Sequence, residues 1–190
     1  MYHIGNDKRI LNSAEQIYLG LEACMKKKNF DQITFSDISK ASYVSRSTIY
    51  RIFDVPQDII QFKCNQIYQE MDEYVANTPE FSVEEVSIRF LEVWMQHASF
   101  FEILVKTKNT SFIVDKHFKN MHQITSNLRL GEHKDPAYPE FMSAVLVLSA
   151  IGVLEVWLRN GKKETSEELF EYLIEFGNIG RSIQAARADR

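Results

Sequence analysis

The sequence predicts an all-α protein of about nine helices, with a small N-terminal domain followed by a larger helical C-terminal one. Three observations carry that expectation. Apolar residues recur at spacings of three and four along most of the chain, the period of an amphipathic helix rather than a strand. Only 7 glycines and 4 prolines occur in 190 residues, too few for the many turns of an all-β fold. Helix-capping signatures stand where the apolar periods begin. Hydrophobic residues at 45% and charged residues at 25% mark a globular chain rather than a disordered one.

The first helix spans Lys8 to Lys28, with Leu11, Ala14, Tyr18, Leu21 and Met25 on its apolar face. Asn6 or Asp7 supplies its cap, and Lys26, Lys27 and Lys28 suit the negative end of the helix dipole. Two short helices follow, Ser36–Ser42 and Ser45–Phe53. Pro56 is placed to open a longer helix, because the missing N–H of proline is no loss at the first position. That helix continues through Ile59, Phe62, Cys64, Ile67 and Met71 until Asn77-Thr78-Pro79 breaks it. The capping box Ser82-Val83-Glu84-Glu85 starts the next helix, which runs to about Ala98. Segments Phe100–Lys106 and Ser111–Leu130 come next, and Gly131–Pro139 reads as a loop. Glu140 to Asn160 is apolar on nearly every side and is closed by Gly161. A second capping box, Thr165-Ser166-Glu167-Glu168, opens a last helix carrying Leu169, Leu173, Phe176 and Ile183. The domains expected are residues 1–55 and 56–190.

Charge divides the chain unevenly. Residues 1–63 hold nine Lys and Arg against seven Asp and Glu, whereas the remainder holds 13 against 19. Such asymmetry suggests two different tasks. Cys24 and Cys64 each sit in a helical pattern, as small core residues of a reducing compartment would. The opening MYHIGNDKR has no apolar signal core. The apolar stretch Phe141–Leu158 is interrupted by Glu155 and lacks basic residues on its N-terminal flank, which fits a buried helix better than a membrane span. A cytoplasmic protein with no membrane partner is expected.

Function is concentrated between Thr34 and Phe53. A helix-turn-helix needs two short helices, a tight turn and a small apolar core that fixes their angle. Phe35, Ile38, Val44, Ile49 and Phe53 supply that core, and Ser36 and Ser45 can cap the two helices. Outward from Ser45 come Arg46, Ser47, Thr48, Tyr50 and Arg51. Small hydroxyls let a helix lie close to DNA, and arginine reaches guanine or phosphate. The second helix is expected in the major groove with its N-terminal residues against the bases.

The stretch ITFSDISKASYVSRSTIYRIF, residues 33–53, resembles the DNA-binding signature of the TetR (tetracycline-repressor-like) family. That signature has a Thr-Val start, Asp-Ile-Ala, a Gly-Val-Ser turn, Thr-Leu-Tyr and a closing Tyr-Phe. The resemblance implies that Thr34 and Ser36 contact phosphates, that Ser45, Arg46, Ser47 and Thr48 face the groove, and that Tyr50 and Arg51 hold the DNA backbone. Lys63 is added from its charge alone. Three departures are expected to leave fewer phosphate contacts than usual. Tyr43 replaces the turn glycine, and so either avoids a left-handed backbone or adopts one at a cost. Pro56 stands for the lysine that commonly follows the signature, and Ile52 for its tyrosine. Farther on, Gly152–Leu158, Gly161 and Thr165–Leu169 resemble a subgroup of that family found in Gram-positive bacteria.

For the C-terminal domain the resemblance implies ligand sensing and homodimerisation through the last two long helices. The near-continuous apolar surface of residues 140–160 agrees with a helix covered on more than one face. Val145, Leu148, Trp157 and Phe176 are the candidate dimer contacts, and a two-fold dimer matches a palindromic operator. Trp94, His97, Phe101, Phe118, Met121 and Met142 are candidates for an apolar ligand pocket, although each also suits an ordinary core. His117 and His122 stand five apart, unlike a zinc pair on one helical face, and no metal or cofactor is expected. No phosphate-binding glycine loop, serine elbow or paired-carboxylate motif stands out, so no enzymatic activity is expected. The expectation is a ligand-responsive homodimeric repressor binding double-stranded operator DNA. The alternative is a helical adaptor that binds a protein partner and has lost DNA recognition.

Overall fold

A computed structural model describes residues 2–5, 7–130 and 134–175. Its elements are α1 (Lys8–Met25), a 3₁₀ turn (Phe30–Gln32), α2 (Phe35–Ser42), α3 (Arg46–Ile52), α4 (Pro56–Asn77), α5 (Val83–Gln96), α6 (Ala98–Lys106), α7 (Ser111–Asn127) and α8 (Tyr138–Arg159). A ninth helix, α9, is described over residues 166–175. Among the described residues there is no strand, only the isolated bridges Tyr2–Phe53 and Phe81–Leu128. The chain forms two compact units, residues 1–66 and 67–190, dividing between Gln66 and Ile67 within α4.

Local chemistry sets most helix ends. Asp7 caps α1 by accepting the Arg9 N–H. The cap of α2 is Thr34, not Ser36: Thr34 accepts the Asp37 N–H at 3.2 Å while Asp37 accepts the Thr34 N–H at 3.0 Å. Ser36 lies two residues too far along, inside the first turn. Pro56 opens α4, where buried Asp58 accepts the N–H groups of Asp54 and Val55 at 2.9 and 3.0 Å. The predicted capping boxes form at Ser82–Glu85 and at Thr165–Glu168. Helix α8 begins earlier than expected, because Pro139 occupies a first-turn position instead of belonging to the loop.

In the first unit, Ala14, Ile17, Tyr18 and Leu21 of α1 are buried together with Phe35 and Ile38 of α2 and Ile49 and Ile52 of α3. Phe53, Ile59, Ile60, Phe62 and Cys64 complete the core. Burying each aliphatic side chain contributes roughly 1.5–3 kcal/mol, enough to hold two helices as short as α2 and α3 that would not persist alone. The segment before α1 adds a strap. His3 N–H donates to the Ile52 carbonyl at 2.8 Å. Tyr2 meets Phe53 and Phe62 edge-on, and its hydroxyl accepts from Asn65 at 2.7 Å.

In the second unit, α5, α6, α7 and α9 supply Phe90, Leu91, Trp94, Phe101, Leu104, Ile113, Leu169 and Phe170 to the core. Helix α8 is long and apolar enough, by length and composition, to cross a membrane. In the fold it is a core helix on one side, burying Val147, Ala150, Ile151, Leu154 and Trp157. Among the described residues, Phe141, Val145, Leu148 and Val156 on its other side are exposed.

Candidate functional site

The exposed surface of α2 and α3 is built by two caps and a fixed turn. The Lys28 ammonium at 2.9 Å, together with the Thr34 N–H and hydroxyl, holds the Asp37 carboxyl well below the usual carboxylate range. Asp37 therefore stays ionised and keeps Thr34 in place at the head of α2. Thr34 itself is exposed, while Ser36 is half-buried.

At the C-terminal end of α2, Tyr43 takes the left-handed conformation at φ 57° and ψ 16°. The turn glycine of the signature is thus replaced by a residue that adopts the glycine conformation, with a steric cost. The next residue is held from both sides: Val44 N–H donates to Ser42 Oγ at 3.2 Å, and Ser39 Oγ donates to the Val44 carbonyl at 2.7 Å. The angle between the helices is fixed by these bonds and by the apolar residues beneath them.

Ser45 begins α3 by accepting the Thr48 N–H at 3.2 Å. Its hydroxyl also lies 2.9 Å from those of Ser47 and Thr48, so three hydroxyls cluster at the head of the helix. Ser45, Arg46, Ser47, Tyr50 and Arg51 are exposed and Thr48 is half-buried. Tyr50 is aimed from below: Phe35 meets its ring edge-on at 5.0 Å, and the Arg46 guanidinium lies 6.0 Å from its centroid. The phenol of Tyr50 and the two arginines form a donor-rich face above a buried apolar floor of Ile49 and Ile52. Such a face suits phosphate oxygens and base edges.

Lys63 is engaged by neighbours within the first unit. Its ammonium is bonded to Glu15 at 3.2 Å and Gln66 at 2.8 Å, and lies 5.2 Å from the Tyr18 ring centroid. Net charge could not show this, because the partner Glu15 is distant in sequence.

The candidate ligand residues of the second unit do not converge. Trp94 and Phe101 are fully buried against one another, with ring centroids 6.0 Å apart. His97 Nε2 is 2.6 Å from Glu70. Phe118 is exposed and Met121 half-buried. Met142 borders a groove of about 690 Å³ between α8 and α9 that also touches Val145, Gly152, Val156 and Tyr172. Of the candidate dimer residues, Val145 and Leu148 are 60% and 54% exposed. Trp157 is instead buried, its indole N–H donating to the Glu164 carbonyl at 3.1 Å. Phe176 lies outside the described residues.

A buried polar chain has no counterpart among those candidates. His117 Nδ1 is 2.9 Å from the Tyr68 hydroxyl, and its Nε2 is 2.8 Å from Ser143 Oγ. Burial pulls the His117 pKa down to about 4, against a smaller raising effect of Ser143. His117, Ser143 and Ser87 border a small cavity of about 40 Å³, otherwise lined by apolar residues such as Phe90, Ile124 and Leu146. The volume is comparable to one water molecule's share of the liquid, about 30 Å³. The sequence offers a histidine there but not its partners, which come from α4 and α8. Among the described residues, no group of His, Cys, Asp and Glu could hold a metal ion.

Comparison with known proteins agrees with this architecture. Residues 82–178 match a family model described as the C-terminal region of transcriptional regulators. The chain is similar to an uncharacterized HTH-type transcriptional regulator, YxbF of Bacillus subtilis, at 24% identity over 182 residues. That alignment covers 91% of this chain but spans only 46% of the relative's length. Lin0861 from Listeria innocua shares the fold with a TM-score of 0.71 and 15% identity, covering 93% of this chain and 95% of that one. A TetR transcriptional regulator from Streptococcus agalactiae does so with a TM-score of 0.61 and 19% identity, covering 90% and 96%.

Proposed function

Because the chain belongs to the TetR family of transcriptional regulators, we propose that it is a homodimeric, ligand-responsive cytoplasmic repressor whose paired α3 helices bind a palindromic operator. The observation that carries this reading is the head of α3: the Ser47 and Thr48 hydroxyls both bonded to that of Ser45, beside exposed Arg46, Tyr50 and Arg51, on a helix capped at Ser45. A rigid helix end bearing short donors can approach base edges closely with Arg46 beside them, while Tyr50 and Arg51 engage the flanking backbone. Thr34 and Ser36 at the entry of α2 are assigned to phosphates.

The outer side of α8 supports the dimer. Phe141, Val145, Leu148 and Val156 form an exposed stripe at helical spacing, with 68%, 60%, 54% and 52% exposure. Gly152 lies within the stripe and keeps it shallow, and Tyr172 of α9 extends it. A second copy related by two-fold symmetry would cover that apolar area and set the distance between the two α3 helices. At about 40 Å³ the cavity at His117 has room for a water and lies far below the roughly 300–1,000 Å³ of small-molecule sites, so the effector part of the reading is carried by family membership. An effector that binds better to one separation of the α3 helices than another would be coupled to DNA, and the coupling would be reciprocal.

Selection of duplexes from a random-sequence DNA pool by the purified protein tests the central claim. Enrichment of a two-fold symmetric sequence is the expected result. Recovery of no sequence, together with equal retention of the Arg46→Ala variant on DNA, would refute it.

A further inference from the structure

We propose that Tyr43 is itself a DNA-contacting residue, its phenol hydroxyl donating to a backbone phosphate beside the bases faced by α3. The inference rests on the DNA-binding reading above and adds a contact at the one turn position where the family signature has no side chain. Three observations converge on it. Tyr43 is 96% exposed, the most exposed of the large hydrophobic residues described. A whole aromatic ring in water contributes nothing to the core of the first unit. It also stands in the left-handed conformation, which glycine adopts without steric cost and tyrosine does not. A residue that neither packs nor suits its backbone points to a use outside the fold.

The turn is also held against relaxation. Ser39 and Ser42 bond both polar groups of Val44, so Tyr43 is presented from a fixed base. Only Val44 separates it from Ser45, which places their Cα atoms within about 7 Å. A phenol carried at that distance from the head of α3 lies where a groove-bound helix meets the flanking phosphates. Tyrosine hydroxyls are regular donors to phosphate oxygens. A neutral donor releases no condensed counterion, and this separates Tyr43 from the arginines experimentally.

The test uses the operator duplex recovered by wild-type protein from a random pool, with Tyr43→Phe, Tyr43→Gly and Arg51→Ala. Tyr43→Phe should weaken operator binding about 2- to 10-fold, the range for one neutral hydrogen bond, with the salt slope unchanged. Tyr43→Gly should weaken it at least as much while melting at or above the wild-type temperature, which loss of folding cannot mimic. Arg51→Ala should instead flatten the salt slope. Wild-type affinity in Tyr43→Phe overturns the proposed hydrogen bond and leaves the DNA reading standing. Failure of the wild-type protein to enrich any duplex overturns both.

Discussion

A β-carbon placed on Gly20 of α1 would stand 2.6 Å from the Cβ of Ser42 and 2.9 Å from its backbone nitrogen. It would also meet the Ile38 carbonyl at 3.0 Å. The first two helices therefore touch backbone to backbone at the residue that leads into the turn. Gly20 has an ordinary helical backbone, so its role is space rather than conformation.

Gly20→Ala tests that contact. Alanine gains about 1 kcal/mol in helix propensity, while overpacking against an immovable backbone costs typically 1–3 kcal/mol. The balance favours loss, and Gly20→Leu should lose more. Thermal unfolding should shift down in that order, with operator affinity falling as the turn is displaced. A midpoint equal to or above wild type in Gly20→Ala would show that the helices can part freely.

The arginines should account for the salt dependence of DNA binding. Each neutralised phosphate contributes about −0.9 to the slope of log affinity against log salt. Arg51→Ala should reduce its magnitude by roughly that amount per dimer-half, whereas Arg46→Ala should weaken binding chiefly through lost base contacts. Lys63→Ala should leave the slope unchanged, since Glu15 and Gln66 already engage the ammonium. Titrations at several salt concentrations decide between these outcomes.

On α8, the stripe and the buried side should respond differently. A Val145→Glu and Leu148→Glu double variant places charge on exposed positions and should give a folded monomer in sedimentation equilibrium. Trp157→Ala removes a buried ring and should cost about 3–5 kcal/mol of stability. Retained dimerisation in the double variant would place the interface elsewhere.

His117 gives the second unit a pH dependence of known sign. Its folded pKa of about 4 lies below the ordinary value near 6.5, so the unfolded chain binds the extra proton between these limits. The contribution is complete above pH 6.5 and is lost as pH falls towards 4, by at most about 3 kcal/mol. His117→Gln should flatten the fall in stability over that window, measured by chemical unfolding at stepped pH. An unchanged profile would mean that other groups produce the dependence.

The amino-acid sequence by itself determined the helical class, the order of the helices and the position of α2 and α3. It also located the second capping group at Ser45 and the conflict at Tyr43. These features rest on near neighbours: a cap is satisfied within three residues, and a helical face repeats every three or four. The choice of Thr34 over Ser36 was a matter of two residues, because both hydroxyls stand at the start of the same apolar run and only backbone geometry separates them. Tertiary structure alone decided the rest. It paired Lys63 with Glu15, set Gly20 against Ser42, and joined Tyr68, His117 and Ser143 from three helices. It also turned Trp157 inward while leaving Val145 and Leu148 in solvent. An apolar helix with no polar face carries no periodic signal of which side is covered, so the orientation of α8 follows from the helices packed against it.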